Sequence, residues 1–175
     1  MRNPRAAVFD MIMSLAVIMV PCVLIYALFT HTPDEPEVPV AQWGPVVAEA
    51  RKSAPYQVMA PTALPDSWKP VRARFHGNEL QLGFLAPGDV YHEVKQRPGA
   101  TQPGFVRDIT RGGIEEGTST VQGRTWTRYL SEDERSRCLV SVTGKDGDAA
   151  SKPSTTVACA DLPYEGVEAF VGSFG

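Results

Sequence analysis

Three cysteines and three histidines are the chain's strongest metal ligands and nucleophiles, so their spacing decides which chemistry is open to its 175 residues. Cys138 and Cys159 fall in two β-branched runs, Arg137–Thr143 and Ser154–Ala160, on either side of the polar stretch GKDGDAASKP. If the runs pair as a hairpin about that stretch, facing residues have numbers adding to 297: Val140 with Val157, Val142 with Thr155, and Cys138 with Cys159. Both thiols then lie opposite each other on the face that carries the two valines. A disulfide there would close a loop of ~20 residues and stabilise by ~3 kcal/mol in the chain-entropy picture. Two buried thiols are the alternative, and the missing Cys-x-x-Cys spacing argues against a redox-active pair. Cys22 lies in an apolar run and is expected simply to pack.

His31, His76 and His92 have no metal-ligand spacing, so they read as solvated or interface histidines, with no metal and no cofactor expected. Gly-x-Ser-x-Gly, phosphate-loop, dinucleotide and zinc-protease signatures are missing from the sequence. Glu115, Glu116, Glu132, Asp133 and Glu134 sit in polar segments and read as a solvated face, not as an acid/base pair. No catalytic residue is assigned, and the expectation is a protein that is not an enzyme. Trp68, Lys69, Arg72 and Arg74 form a basic-aromatic combination that could hold an anionic lipid head group or polymer. Alternating arginines also mark the wet face of a strand. A net charge of −3 and a pI near 5.6 exclude a nucleic-acid binder held by a general basic field.

These residues need elements to position them. Val46, Val47, Ala50 and Ala54 predict a short helix opened by Pro45, followed by an irregular stretch punctuated by Pro55, Pro61, Pro65 and Pro70. Val71, Ala73 and Phe75 alternate with Arg72 and Arg74, and Leu80, Leu82 and Phe84 answer them across a turn at residues 76–79. A third strand is predicted at Val90–Gln96, a helix at Pro103–Arg111, and a hairpin of Thr118–Val121 with Arg124–Leu130. The two cysteine-bearing strands follow. A closing helix is expected with Asp161 as N-cap, Pro163 in its first turn, and Leu162, Val167, Phe170 and Val171 as its buried stripe. The order is helix, three strands, helix, four strands, helix. Short turns between strands imply an α+β fold with a mainly antiparallel sheet and two or three packed helices. Trp68, Phe75, Phe84, Tyr91, Trp126 and Tyr129 fall mostly on strand positions and read as core. A curved sheet under a helix can nevertheless enclose an apolar pocket.

The mean hydropathy of −0.16 conceals one uneven region. Residues 11–29, MIMSLAVIMVPCVLIYALF, carry no charge over 19 positions. A bilayer core ~30 Å thick needs ~20 helical residues, so this run predicts an uncleaved single-pass transmembrane anchor. Arg2 and Arg5 precede it, while Asp34, Glu35 and Glu37 follow it. The positive-inside rule puts residues 1–10 in the cytoplasm and residues 30–175 outside the plasma membrane. Residues 30–44, rich in proline and acid, read as a linker, and residues 45–175 as the extracytoplasmic domain. Asp10 and Ser14 share a helix face at the cytoplasmic boundary. Helix-end solvation is the simpler reading, and contact with a partner transmembrane helix the sharper one.

Asp10-Met11 with Ser14-Leu15, Ala54-Pro55-Tyr56, Ala60-Pro61, Leu64-Pro65-Asp66-Ser67-Trp68, Leu82-Gly83-Phe84 and Gly123-Arg124-Thr125-Trp126 together give a pattern that covers nearly the whole chain. It resembles an actinobacterial family of single-pass membrane proteins, domain of unknown function forty-two forty-five. The resemblance implies a small exported α+β domain in a Gram-positive envelope and brings no established activity. The cysteine pair and the long polar loop do not belong to that pattern. The Leu64–Trp68 and Val121–Trp126 stretches also resemble exported sensor domains that bind lipid-like ligands. The function expected is a membrane-anchored envelope protein, a non-enzymatic interaction or accessory subunit of a membrane or cell-wall complex. The alternative is an exported binding module for a lipid or other apolar envelope ligand. The partners expected are the lipid bilayer and another membrane or envelope protein.

Overall fold

The computed structural model describes residues 13, 15–24, 26, 41–100, 103–143 and 152–175. Asp10, Ser14, His31, most of the linker and most of the polar loop lie outside these residues. The chain divides into two units, Met1–Val38 and Pro39–Gly175. In the first, residues 15–24 form helix α1, with Cys22 a free, exposed thiol. No helix among the described residues is long and apolar enough to cross a membrane.

The second unit is α+β. Its order is α2 (Trp43–Ser53), β1 (Lys69–His76), β2 (Glu79–Ala86), β3 (Val90–Pro98), α3 (Pro103–Ile109), β4 (Ile114–Val121), β5 (Arg124–Leu130), β6 (Arg137–Thr143), β7 (Ser154–Ala160) and α4 (Tyr164–Val171). All seven strands form one antiparallel sheet in the order β1-β2-β3-β7-β6-β5-β4. Two meanders therefore meet at β3 and β7, and the chain crosses from β3 to the far edge through α3. Two-residue turns join the edge hairpins. Gly77 (φ 58°) with Asn78 (φ 64°), and Gln122 (φ 52°) with Gly123 (φ 72°), supply the paired left-handed conformations of type I′ turns.

Strand alternation sorts the sheet into two faces. Leu80, Leu82, Phe84, Val94, Leu139 and Ala158 face α4 and α2, which add Val167, Phe170, Val171, Val47 and Ala50 to one core. Cys138, Val140, Val157 and Cys159 point the other way, under Phe105 and Ile109 of α3. Covered on both faces, β7 is buried along its whole length. The proline-punctuated stretch after α2 is tied down by Gln96, a fully buried polar residue. Its carboxamide oxygen accepts the Met59 N–H at 2.9 Å, and its nitrogen donates to the Gln57 carbonyl at 2.7 Å.

Local departures from expectation have local causes. Asp161 does not cap α4: the helix starts three residues later, with Pro163 at the N-cap position, and the Asp161 carboxylate accepts the Ser136 hydroxyl instead. Helix α2 begins at Trp43, placing Pro45 third, still within the first turn where its missing N–H costs nothing. Strand β4 starts at Ile114, four residues earlier than the apolar pattern indicated, because a bulge between Glu115 and Gly117 resets the alternation.

Candidate functional site

Four strands, β7 to β4, present their α3 side over roughly 14 Å between outer strand axes, at ~4.8 Å per strand. One helix is ~10 Å across with its side chains, so α3 covers only part of this width. Its seven residues also end abruptly, because Arg111 (φ 54°) and Gly112 (φ 75°) turn the chain, with the Gly112 N–H donating to the Arg107 carbonyl. What remains is an open groove of about 630 Å³. Its floor is Thr125, Thr127 and Tyr129 of β5 with Val140 and Val142 of β6, and its wall is Val106, Arg107 and Thr110. Two threonine hydroxyls in the lining are already satisfied: Thr110 donates to the Val106 carbonyl and Thr155 to that of Gly99, both at 2.8 Å. Arg107 makes no ion pair with a described residue. Burial first, and then the Glu115 charge, raise the Tyr129 phenol above its usual pKa.

Cys138 and Cys159 form a disulfide beneath α3, with Cα atoms 4.1 Å apart in the register that their sequence positions imply. It packs with Val140 and Val157 against Phe105 and Ile109.

The basic-aromatic combination is not brought together. Lys69, Arg72 and Arg74 are exposed and lie opposite Leu85, Gly83 and Gln81, on the α3 side of the sheet. Trp68 is on the α4 side, stacked on Phe170 at 5.6 Å and His92 at 4.4 Å. The bulge at Val71 is the cause: it shifts Lys69 onto the arginine face and turns Trp68 inward. Glu79, Glu93, Lys95 and Arg97 share the face with the arginines and pair among themselves, so no single-sign field forms.

His92 is the site residue that sequence reading missed. It is 2% exposed rather than solvated, and its ring packs against both Trp68 and Phe170, which also touch each other. Burial holds its imidazole below the usual pKa of 6.5, partly offset by its hydrogen bond to the Val90 carbonyl. A signal existed: facing residues of β2 and β3 have numbers adding to 176, which puts His92 opposite Phe84 in the apolar phase. His92, Trp68 and Phe170 line a second recess of about 360 Å³.

Other polar groups do structural work. Arg128 donates to Glu168 at 2.7 Å and to the Ser119 hydroxyl, tying α4 to the β4–β5 edge. The Ser119 hydroxyl also donates to Glu168, and this bond first, then that from Arg128, holds the carboxyl below its usual range. Among the described residues, no group of three or more His, Cys, Asp or Glu is placed to hold a metal.

Fold and site thus define an α+β domain with an open recess on each face of a single antiparallel sheet, mixed in lining on the α3 side and mainly apolar on the α4 side. The chain belongs to the family described as Protein of unknown function (DUF4245), which it matches over residues 5–172. No curated protein and no solved structure matches it.

Proposed function

We propose that the chain is a single-pass membrane protein whose residues 45–175 form a non-enzymatic binding module, outside the plasma membrane, for a lipid or other apolar envelope ligand. The groove between α3 and β5–β6 carries this reading. Its volume of about 630 Å³ lies in the usual range of small-molecule sites, and Val106, Val140 and Val142 line it beside four threonines. Arg107, in its wall and without an ion pair to any described residue, is placed to meet an acidic head group.

The anchor is supported by the uncharged run at 11–29 and by the side chains of α1. Leu15, Val17, Ile18, Met19, Val20, Val23 and Leu24 are each more than half exposed and point to every side of the helix. A helix apolar all round needs apolar surroundings. Arginines before the run and acids after it give a cytoplasmic N-terminus.

The test is native mass spectrometry of the full chain purified in mild detergent. A co-purifying small molecule is expected, and Val142→Arg, at a position already 38% exposed, should release it. Repeated recovery at the bare polypeptide mass would refute the reading. A second reading, an accessory subunit docked on another membrane or cell-wall component, is favoured by Ile114. This side chain is 70% exposed at the start of edge strand β4. Crosslinking through that position should then recover a stoichiometric partner.

A further inference from the structure

The recess on the α4 side differs from the groove in one respect that bears on ligand chemistry. His92 Nδ1 lies 3.3 Å from the Val90 carbonyl oxygen. A carbonyl can only accept, so the proton resides on Nδ1, and the neutral ring presents a bare lone pair at Nε2. Among the described residues Nε2 has no hydrogen-bond partner, yet none of their side-chain nitrogens or oxygens is both fully buried and unpartnered. Nε2 is therefore not fully enclosed, and His92 lines the recess.

Around it the walls are Trp68, Phe170, Leu64, Pro65, Val90 and Leu162. None carries charge. A carboxylate ligand would meet the lone pair with no cation to balance it, and an ammonium would find no carboxylate. A donor hydroxyl would complete the imidazole, and ring walls suit a flat apolar body. The volume of about 360 Å³ exceeds the ~150 Å³ that holds one benzene, leaving room for two fused rings.

We infer that this recess is a binding site, separate from the groove, for a small neutral apolar molecule that donates one hydroxyl to His92 Nε2. The inference does not depend on the function proposed above.

The probes are 2-naphthol and 2-methylnaphthalene, equal in shape and differing by hydroxyl against methyl. The full chain, held in an amphipol and labelled with nitrogen-15 at histidine, gives a three-histidine spectrum in which His92 is assigned by substitution. Naphthol should shift the His92 Nε2 resonance saturably and bind about tenfold more tightly than methylnaphthalene. His92→Phe keeps the ring and removes the acceptor, so the two probes should then bind alike. Ala169→Trp, at an exposed lining position, should exclude both without touching the core. Equal affinities in the unaltered chain, an unmoved Nε2 resonance, or binding that survives Ala169→Trp would each overturn the inference.

Discussion

Gln96 reaches from β3 to the backbone of Met59, where its carboxamide oxygen accepts the Met59 N–H at 2.9 Å. The same side chain donates to Gln57 and to the Ser154 hydroxyl, so one buried amide fastens an otherwise irregular stretch to the middle of the sheet. Gln96→Leu keeps similar bulk but strands the Met59 N–H and the Gln57 carbonyl. A loss of about 3 kcal/mol is expected in urea unfolding, since each buried unpaired group costs ~1–3 kcal/mol. A loss below the error of the measurement would show that water replaces the amide.

The disulfide gives a second prediction. Reduction should lower stability by about 3 kcal/mol, because the bond restricts a loop of ~20 residues in the unfolded chain. The comparison is urea unfolding with and without reductant, with alkylation and mass spectrometry to establish the redox state. Cys138→Ser and Cys159→Ser together should match the reduced protein, and full alkylation of all three thiols in the unreduced protein would contradict the bond.

His92 makes stability depend on pH. Burial lowers its native pKa, while in the unfolded chain it titrates near 6.5. Below that value the unfolded state binds the proton first, so stability falls with falling pH until the native ring also protonates. The slope should stay below one proton. His92→Phe should remove this component and leave any carboxylate-driven loss at lower pH, which parallel unfolding curves across the acidic range would separate.

Gly83 lies beneath the Tyr91 ring. A Cβ there would press on the Tyr91 hydroxyl, with Tyr91 Cζ at 3.0 Å and Arg72 Cβ at 3.1 Å. Gly83→Ala should destabilise by about 2 kcal/mol through overpacking. Combined with Tyr91→Ala the cost should be smaller than the sum, and strict additivity in this double-mutant cycle would show that the ring moves aside freely.

Much of the architecture was legible because strand pairing is arithmetic. Constant sums located Cys138 opposite Cys159, and the same operation on β2 and β3 places His92 opposite Phe84 and Gln96 opposite Leu80. His92 nevertheless reads from its residue type as solvated or interfacial, because type outweighs phase. Bulges were illegible. The one at Val71 divides Trp68 from Arg72 and Arg74, and the one before Gly117 hides the start of β4, since an extra residue reverses every inside-outside assignment beyond it.

The sequence by itself determined the element order, the α+β class, the cysteine register and the uncharged run at 11–29, all properties of short-range periodicity. Only the tertiary structure decided which face each helix covers, and with it both recesses. Sheet alternation defines two apolar faces without saying which a helix will choose or how much one helix can span. Helix α3 spans less than the four strands beside it, and α4 lies across His92. The groove and the histidine recess exist for those two geometric reasons.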